Sequence, residues 1–447
     1  MPRPRETTHR PASPDLTELL SEVPDLGVPR PAYDGRSLAN VGPTILRASG
    51  VEGSSGSIPL APPLASTYDP FRGRRADGPI VVFLVDGLGW NLFREWVEDG
   101  SAEASRWSTH ARAMTTVFPT TTTAALTSLS SGTPPGRHGL VGYRQFLPRY
   151  GVVADMLKMS PLGTPTPDLL VGPTWAPSDI SGAPTIFRRG VDGIAVSRDR
   201  FQGSGFTRVL YDGAAFAGYS TLADFAHELV RLIARPDPPG VIFAYWDELD
   251  TIQHLRGRHR GLASFELDRI AGMVAYVRDH VPSARRARTT LLVTGDHGQV
   301  PATPAARIPV ETHPAIVREL AHPLAGDRRA GFFAARPGRL PALRSALQKV
   351  VPPSSTILDM ERALDGGLFG PPPYHAEIAA RLGDLLVLVP APTSLTYLLP
   401  GAAPPARYML GAHGGLDPDE LIVPLVAGRL EDFGKGAGQR SPAVPQR

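Results

Sequence analysis

Three continuous apolar runs stand out along the chain. They are Ile80 to Val85, Val241 to Trp246 and Thr290 to Thr294. A strand with one solvated face alternates apolar and polar residues, whereas a strand covered on both faces does not. The runs therefore predict strands of a buried, mostly parallel central sheet.

A helical spacing lies between the second and third runs. Five apolar residues recur there at intervals of three and four: Leu267, Ile270, Val274, Val277 and Val281. This spacing places them on one face of a helix. Strands that alternate with helices predict an α/β fold in which helices cover both faces of the sheet.

The ends of the chain lack this periodicity. We expect a flexible N-terminal segment over residues 1–30, with a short helix at Leu16 to Val23, and a flexible tail over residues 434–447. Residues 31–433 are predicted to form one main domain. Within it, residues 300–404 are expected to form a smaller α+β insertion, because they carry strand and helix patterns of their own: Phe332 to Ala335, Leu340 to Val350 and Leu385 to Val389.

Composition narrows the possible chemistry. The chain has no cysteine, which excludes disulfides, thiolate metal sites and nucleophiles made from cysteine. Its formal charge is +3 and its arginines are scattered, so we expect no nucleic-acid partner. The polar N-terminus and the lack of a long apolar run predict a cytoplasmic protein without a membrane segment. The sequence does not determine the oligomeric state.

Acidic residues follow each of the three predicted strands. Asp86 follows the first strand, Asp250 lies just beyond the second, and Asp296 and His297 follow the third. The carboxyl ends of parallel strands meet at one edge of a sheet, where ligands bind. Taken singly, Asp86 with Gly87 is equally an ordinary turn.

Two further histidines belong with these acids. Asp250 and His254 are four residues apart, which on a helix places both on one face within reach of one cation; the alternative is a helix cap with a surface ion pair. His413 lies among glycines ahead of a predicted strand, Leu421 to Val426, or is simply exposed. Asp247 and Glu248 are interpreted as caps or supporting groups and not as ligands.

Together these side chains have the composition of a metal centre. Three carboxylates and three imidazoles suffice for two zinc-type ions with three protein ligands each. The six candidates are Asp86, Asp250, His254, Asp296, His297 and His413. The charge of two divalent ions exceeds that of three carboxylates by one, and an ionised hydroxyl would balance it.

A threonine run is the candidate source of that hydroxyl. Thr120 to Thr123 follow Phe118 and Pro119 and begin a helix-forming stretch. The free amides of a helix N-terminus favour an anionic nucleophile and a bound phosphoryl group. Several of the four threonines must serve as helix caps, and chemistry alone does not choose among them.

The order of the motifs resembles that of a known family. It runs through Val85-Asp86-Gly87, the threonine run with Gly132 and His138-Gly139, Asp250-x-x-x-His254, Asp296-His297-Gly298 and His413-Gly414-Gly415. Between about Pro79 and Ala427 the chain resembles the alkaline phosphatase superfamily, and within it the type I phosphodiesterase/nucleotide pyrophosphatase family. The resemblance implies an alkaline-phosphatase-like three-layer α/β sandwich.

The resemblance also implies a reaction. Members hydrolyse phosphodiester or pyrophosphate bonds of small phosphate esters or nucleotide-like substrates through a covalent phospho- or nucleotidyl-threonine on a two-zinc site. Asp86, Asp296, His297 and the nucleophile would then hold one zinc, and Asp250, His254 and His413 the other. The family spacing, counted back ten residues from Gly132, assigns the nucleophile to Thr122, with Thr121 as the alternative.

The chain departs from the better-known members of the family. Phe-Pro precedes the threonines here instead of following the nucleophile, and Tyr143 occupies the position of an asparagine that helps hold the phosphoryl oxygen. Nucleotide preference is therefore open. The alternatives are a phosphomonoesterase, for which Arg137 and Arg144 are near enough to supply a cation, a phosphonate hydrolase, a phosphosugar mutase, or a binding protein without turnover.

Overall fold

The computed structural model describes residues 16–51, 58–402 and 407–433. The predicted tail over residues 434–447 and the first fifteen residues of the predicted N-terminal segment lie outside these ranges. A seven-stranded sheet forms the centre of the fold. In chain order its strands are β1 (Ile80–Val85), β2 (Ala111–Thr115), β3 (Gly193–Arg198), β4 (Ala215–Tyr219), β5 (Val241–Trp246), β6 (Thr290–Thr294) and β7 (Ile422–Arg429).

The central sheet is mostly parallel, as predicted. Its spatial order is β2-β7-β6-β1-β5-β3-β4. β1, β5 and β6 begin and end at the predicted residues and pair in parallel. β7 is antiparallel to both of its neighbours, so its N-terminal end lies at the edge where the parallel strands end. β2, β3 and β4 were not predicted from the sequence.

Helices cover both faces of the central sheet. On β1, Val81 and Phe83 contribute to the hydrophobic core on one face, while Val82 and Leu84 contribute to the core on the other. This alternation is that of any β-strand, but here both faces are apolar because both are covered. The result is the predicted three-layer α/β sandwich.

The helices divide between the two faces. The larger ones beside the first core are Trp90–Glu98, Ala102–Thr109, Leu222–Ala234 and Arg260–His280. Those beside the second core are Val41–Ala48, Thr122–Ser131 and Gly205–Leu210. Arg260–His280 is the predicted helix between β5 and β6, and Leu267, Ile270, Val274 and Val277 are all buried on it. Val281 follows the last helical residue and is also buried.

A second, smaller sheet lies beside the first. Its strands, in spatial order, are Thr356–Asp359, Leu385–Leu388, Ala330–Phe333, Ala325–Gly326, Arg144–Leu147, Val152–Asp155 and Ser160–Pro161. The predicted insertion at residues 300–404 supplies the first four, together with helices Leu340–Gln348, Met360–Asp365 and Ile378–Leu382. The remaining three come from residues 144–161. The sheet thus joins two separate parts of the chain, which the prediction of one contiguous insertion did not include.

Short elements complete the described structure. The helices are Leu16–Leu19, Pro135–His138, Glu248–Arg256, Ser283–Arg286, Pro314–Val317 and Pro418–Leu421, and the paired strands are Glu22–Val23 with Val28–Pro29, Val300–Pro301 with Gly411–Ala412, and Arg307–Pro309 with Ser394–Thr396. Leu19, Leu26 and Val28 are buried, so part of the segment predicted as flexible packs against the domain. The domain start at residue 31 stays a prediction. Among the described residues, no helix has the length and apolar character needed to span a bilayer.

Candidate active site

The motif residues lie at one edge of the central sheet. Asp86 directly follows β1, Asp296 and His297 follow β6, and Asp250 lies on helix Glu248–Arg256 after β5. His413 precedes β7, and because β7 runs in the opposite direction, this brings His413 to the same edge. Helix Thr122–Ser131 follows β2 and begins there too.

Two overlapping groups of possible ligand atoms form at this edge. Ligand atoms of Asp86, Asp296 and His297 all lie within 4.8 Å of one another, and so do those of Asp250, His297 and His413. Nε2 of His297 is 3.3 Å from Oδ2 of Asp296 and 3.6 Å from Oδ1 of Asp86. The first group is the set that the resemblance assigns to one ion.

The second group differs from the assigned set in one member. The resemblance places His254 with Asp250 and His413, whereas the compact trio contains His297 in its place. His254 is nevertheless adjacent, because its Nε2 lies 3.3 Å from Oδ2 of Asp250 and its ring centroid lies 5.2 Å from that of His413. All six predicted ligand residues are therefore in one cluster, and their roles as ligands stay a prediction.

The three imidazoles share one hydrogen-bonding pattern. Nδ1 of His254 lies 2.9 Å from the carbonyl of Gly411, and Nδ1 of His413 lies 2.9 Å from the carbonyl of Thr120. Nδ1 of His297 is 3.1 Å from the carbonyl of Gly298. A carbonyl only accepts, so each Nδ1 carries the proton and each Nε2 keeps its lone pair. This is the arrangement that metal-binding histidines adopt.

The carboxylates are held in a similar way. Tyr245 donates to Oδ2 of Asp86, and Oδ1 of Asp296 accepts the backbone N–H groups of Gly87 and His297, each at 3.0 Å. Their other oxygens, Oδ1 of Asp86 and Oδ2 of Asp296, are buried without a hydrogen-bond partner. A buried, unpaired carboxylate oxygen is costly, and a cation would satisfy both. The residues present thus fit divalent ions.

Two supporting residues were missed at the sequence level. Tyr245 is the penultimate residue of β5, and Gln299, which donates to Asp250, directly follows the motif Asp296-His297-Gly298. Tyr245 reads as one more apolar residue of its strand, so no pattern marks it. Its role depends on the register of β5 against β1, which pairs Tyr245 with Leu84.

The charges of the cluster are strongly perturbed. Burial raises the pKa of the Asp86 carboxyl well above its ordinary value, and the neighbouring Asp296 and Asp250 raise it further. Burial lowers the pKa of His413 well below its ordinary value, with His297 and His254 adding to the shift. A carboxyl that resists ionisation beside an imidazole that resists protonation indicates a site built around an external positive charge.

The threonine run separates into distinct contacts. Oγ1 of Thr122 lies 3.2 Å from Nε2 of His297. The hydroxyls of Thr120 and Thr123 donate to the carbonyls of Gly415 and Gly142, at 3.0 and 2.9 Å. Thr121 is the residue that precedes the helix, and it lies beside Asp327. Among the described residues, Thr122 is the one member of the run whose hydroxyl has a hydrogen bond to a candidate ligand.

The remaining polar candidates have structural partners. Asp247 forms ion pairs with Arg198 and Arg200 and Glu248 pairs with Arg198, in line with their interpretation as supporting groups. The Arg137 guanidinium donates to four backbone carbonyls: those of Pro59, Leu60, Pro371 and Pro372. It is therefore committed to the fold. The Tyr143 hydroxyl donates to Asp155 at 2.9 Å.

Solved structures share this fold. A murine ectonucleotide pyrophosphatase/phosphodiesterase 5, an inactive threonine-to-alanine variant in complex with AMP, aligns with a TM-score of 0.59 and 15% identity over 78% of this chain and 88% of that one. Phosphonoacetate hydrolase from Sinorhizobium meliloti 1021, in complex with phosphonoacetate, aligns with a TM-score of 0.57 and 16% identity over 82% and 92%. At these identities the likeness establishes the fold.

A comparison with curated protein sequences gave no match. The sequence profile of the family Type I phosphodiesterase / nucleotide pyrophosphatase, in contrast, matches residues 80–414, and this range contains every candidate ligand and the threonine run. The superfamily uses divalent metals, and the clusters described above are candidate ligands for them. The chain belongs to the type I phosphodiesterase/nucleotide pyrophosphatase family of the alkaline phosphatase superfamily and is a hydrolase of phosphoric ester bonds.

Proposed function

We propose that the protein hydrolyses phosphodiester or pyrophosphate bonds through a covalent intermediate on Thr122, with two zinc ions bound in the cluster. The observation that carries the proposal is the contact of 3.2 Å between the Thr122 hydroxyl and His297, within a cluster of three carboxylates and three imidazoles. A hydroxyl needs activation to act as a nucleophile. The Thr122 hydroxyl lies beside His297, one of the candidate ligands of the metal ions that would activate it.

The ligand chemistry favours zinc. Asp86, Asp296 and His297 would hold one ion, and Asp250, His254 and His413 the other, with His297 near both. Nitrogen and carboxylate donors in sets of three, with a position open to substrate, are typical of catalytic zinc. When bound, such ions lower the pKa of a hydroxyl and neutralise charge on the phosphoryl oxygens.

The Thr122 oxygen would form a bond to phosphorus as the bond from phosphorus to the leaving oxygen breaks, and the leaving group would take up a proton. Water would then break the bond between Thr122 and phosphorus and restore the hydroxyl. The first turn of helix Thr122–Ser131 presents free backbone N–H groups to the anion. Burial of the cluster strengthens each of these charge interactions.

We favour diesters and pyrophosphates over monoesters as substrates because of the extra charge that a monoester carries. A monoester brings an additional charge that a nearby cation must neutralise. Of the two arginines near the motif, Arg137 is committed to backbone carbonyls and Arg144 donates to the carbonyl of Tyr397. The AMP complex of the murine neighbour supports a nucleotide-like substrate. Its inactive threonine-to-alanine variant supports a threonine nucleophile.

A phosphonate hydrolase is the second candidate, because the neighbour from Sinorhizobium meliloti binds phosphonoacetate. The two reactions differ in their products, since one releases an alcohol or phosphate and the other breaks a carbon–phosphorus bond. Phosphorus NMR of the reaction mixture separates them. A cytoplasmic location, as expected from the sequence, is likewise part of the proposal.

The experiment uses the full chain stripped of metal with a chelator and reloaded with zinc or manganese. Initial rates are measured on bis-(p-nitrophenyl) phosphate and on p-nitrophenyl phosphate. We expect zinc to restore activity and the diester to be the faster substrate. A protein that stays inert with every divalent ion would overturn the proposed function, and a large excess of rate on the monoester would overturn the diester assignment.

A further inference from the structure

A cavity of about 220 Å³ lies beside the candidate active site, on the smaller sheet. Three arginines and three tyrosines are prominent in its lining: Arg144, Arg307, Arg328, Tyr143, Tyr397 and Tyr408. The cavity draws on both parts of the chain that build the smaller sheet, since Arg144 pairs with Gly326 across their strands. The function proposed above makes no use of it.

None of the three arginines forms an ion pair with a carboxylate within the described part of the chain, although the charges of Arg328 and Asp327 attract each other. Arg144 donates to the carbonyl of Tyr397 at 2.9 Å, and the guanidinium of Arg307 lies over the ring of Tyr408, 4.2 Å from its centroid. Arg328 forms neither a side-chain hydrogen bond nor an ion pair with any described residue. Its neighbour Arg329, by contrast, is paired with the buried Glu420 at 3.1 Å.

One carboxylate lines the cavity, and it leaves the positive charge in excess. Asp327 is the residue before Arg328, yet it forms no ion pair with the arginines, and its Oδ2 is buried without a hydrogen-bond partner. Nδ1 of His413 lies 4.0 Å from this Oδ2. Half-buried cations in excess of carboxylates favour an anionic ligand.

Asp327 also fixes where the cavity lies relative to the metal ligands. A Cβ atom placed on Gly414 would lie 2.5 Å from Cβ of Asp327, so the loop that carries His413 packs directly against the cavity wall. Asp327 thus contacts the loop that carries His413 and also lines the cavity. The candidate ligands and the arginine-lined space are therefore adjacent.

We propose that this cavity binds a second anionic group of the substrate, a carboxylate or a phosphate, joined by a short linker to the phosphoryl group that reacts. The proposal rests on the function proposed above and narrows its substrate class to compounds with two anionic groups. Guanidinium groups bind carboxylate and phosphate oxygens with paired hydrogen bonds. A neutral substituent in the same place would leave the arginines unpaired, which gives discrimination.

Binding is measured first, because it does not depend on turnover. The zinc-loaded full chain is titrated calorimetrically with alkylphosphonates that carry a terminal carboxylate, a terminal phosphonate or a terminal amide, in a series of chain lengths. We expect one chain length at which an anionic compound binds about 10- to 100-fold more tightly than its amide. The carboxylate and diphosphonate arms tell which anion the cavity takes.

Variants then test the assignment of residues. Arg328→Gln and Arg307→Gln should each reduce the preference for the anion over the amide by about tenfold, and Arg328→Lys should retain part of it, because the charge stays while the paired geometry is lost. Arg188→Gln is the matched control: Arg188 is exposed and paired with Asp212, and its variant should keep the preference of the unchanged protein. Thermal unfolding of each variant checks its fold.

The binding and hydrolysis results together decide between the cavity proposal and the proposed function. Equal affinity for anion and amide at every chain length, or a preference that Arg328→Gln leaves unchanged, overturns the cavity proposal even when the protein hydrolyses bis-(p-nitrophenyl) phosphate. A clear preference for the anion in a protein that hydrolyses no phosphate ester overturns the proposed function, and with it the assignment of a substrate, but leaves the cavity as an anion-binding site. Absence of both binding and hydrolysis overturns the two together.

Discussion

Replacement of Thr122 tests the assignment of the nucleophile. The Thr122→Ala variant removes the hydroxyl that lies 3.2 Å from His297 and leaves all six candidate ligands in place. The hydroxyls of Thr120 and Thr123 are committed to backbone carbonyls, so neither is free to replace it. We therefore expect the rate on a diester to fall by at least about 10⁴-fold, as for other lost nucleophiles.

The expected effect on stability is much smaller. A loss of 10⁴-fold corresponds to about 5.4 kcal/mol in the activation free energy. The same substitution lies in the first turn of a helix, where alanine is the better helix former by at most about 0.7 kcal/mol. The free energy of unfolding should thus change by less than about 1 kcal/mol, and the variant should bind as much zinc as the unchanged protein.

Three measurements check this together: initial rates on bis-(p-nitrophenyl) phosphate, zinc content by mass spectrometry, and urea unfolding. Thr122→Ser, which keeps a hydroxyl, should recover part of the rate. Thr123→Ala is the matched control, since its hydroxyl donates to the Gly142 carbonyl and its loss should change the rate by no more than a few-fold. Acid quenching should reveal a phosphoryl adduct on the tryptic peptide 113–137.

Two results would refute the reasoning. A Thr122→Ala protein with the rate of the unchanged chain would show that the contact with His297 has no part in catalysis. If Thr121→Ala were inactive while Thr122→Ala remained active, the nucleophile would be Thr121. The start of the helix would then have to turn the Thr121 hydroxyl toward the candidate ligands during the reaction.

Three further predictions concern the support of the site. Gly87 has a φ of +75°, and a Cβ atom there would lie 3.0 Å from Cα of Asp250. Gly87→Ala should therefore weaken zinc binding at least tenfold, as measured by competition with a chelator. The control is Gly272→Ala, at a helical position with open space around it, which should instead raise the free energy of unfolding by about 0.5–1 kcal/mol. Metal-free Asp86 holds its proton to a higher pH than an ordinary carboxyl because burial and its acidic neighbours raise its pKa. Zinc binding near pH 6 should therefore release protons and weaken as pH falls. Tyr245→Phe removes a hydrogen bond that lowers the pKa of Asp86, so this variant should release more protons when it binds zinc. Calorimetry in buffers of different ionisation enthalpy measures the number of protons released. Glu420→Gln should lower the free energy of unfolding in urea by about 3–5 kcal/mol, because it leaves the buried Arg329 guanidinium without its carboxylate; a loss below 1 kcal/mol would contradict this.

The sequence predicted those parts of the fold that depend on local patterns. β1, β5 and β6 are continuous apolar runs, so the first and last residues of each run predicted the ends of the strand. The ends of the runs also located the sheet edge, where Asp86 and Asp296 lie. β3 was missed because its apolar stretch is only three residues long and ends at Ser197 and Arg198. β4 was missed because Gly218 interrupts its apolar character and because it lies at an edge of the sheet, partly exposed. A short strand of this kind is stabilised by its neighbour and carries little signal of its own.

The site shows the same division between local and distant information. Asp250 and His254 were predicted to share a helical face because four residues separate them, and their contact of 3.3 Å follows from that geometry. Asp327 had no such signal, because its place beside His413 depends on how the smaller sheet packs against the loop before β7. The order of motifs could therefore locate the candidate metal ligands. It could not locate the arginine-lined cavity, since Arg144 and Arg328 lie 184 positions apart in the chain and meet only through the pairing of Arg144 with Gly326.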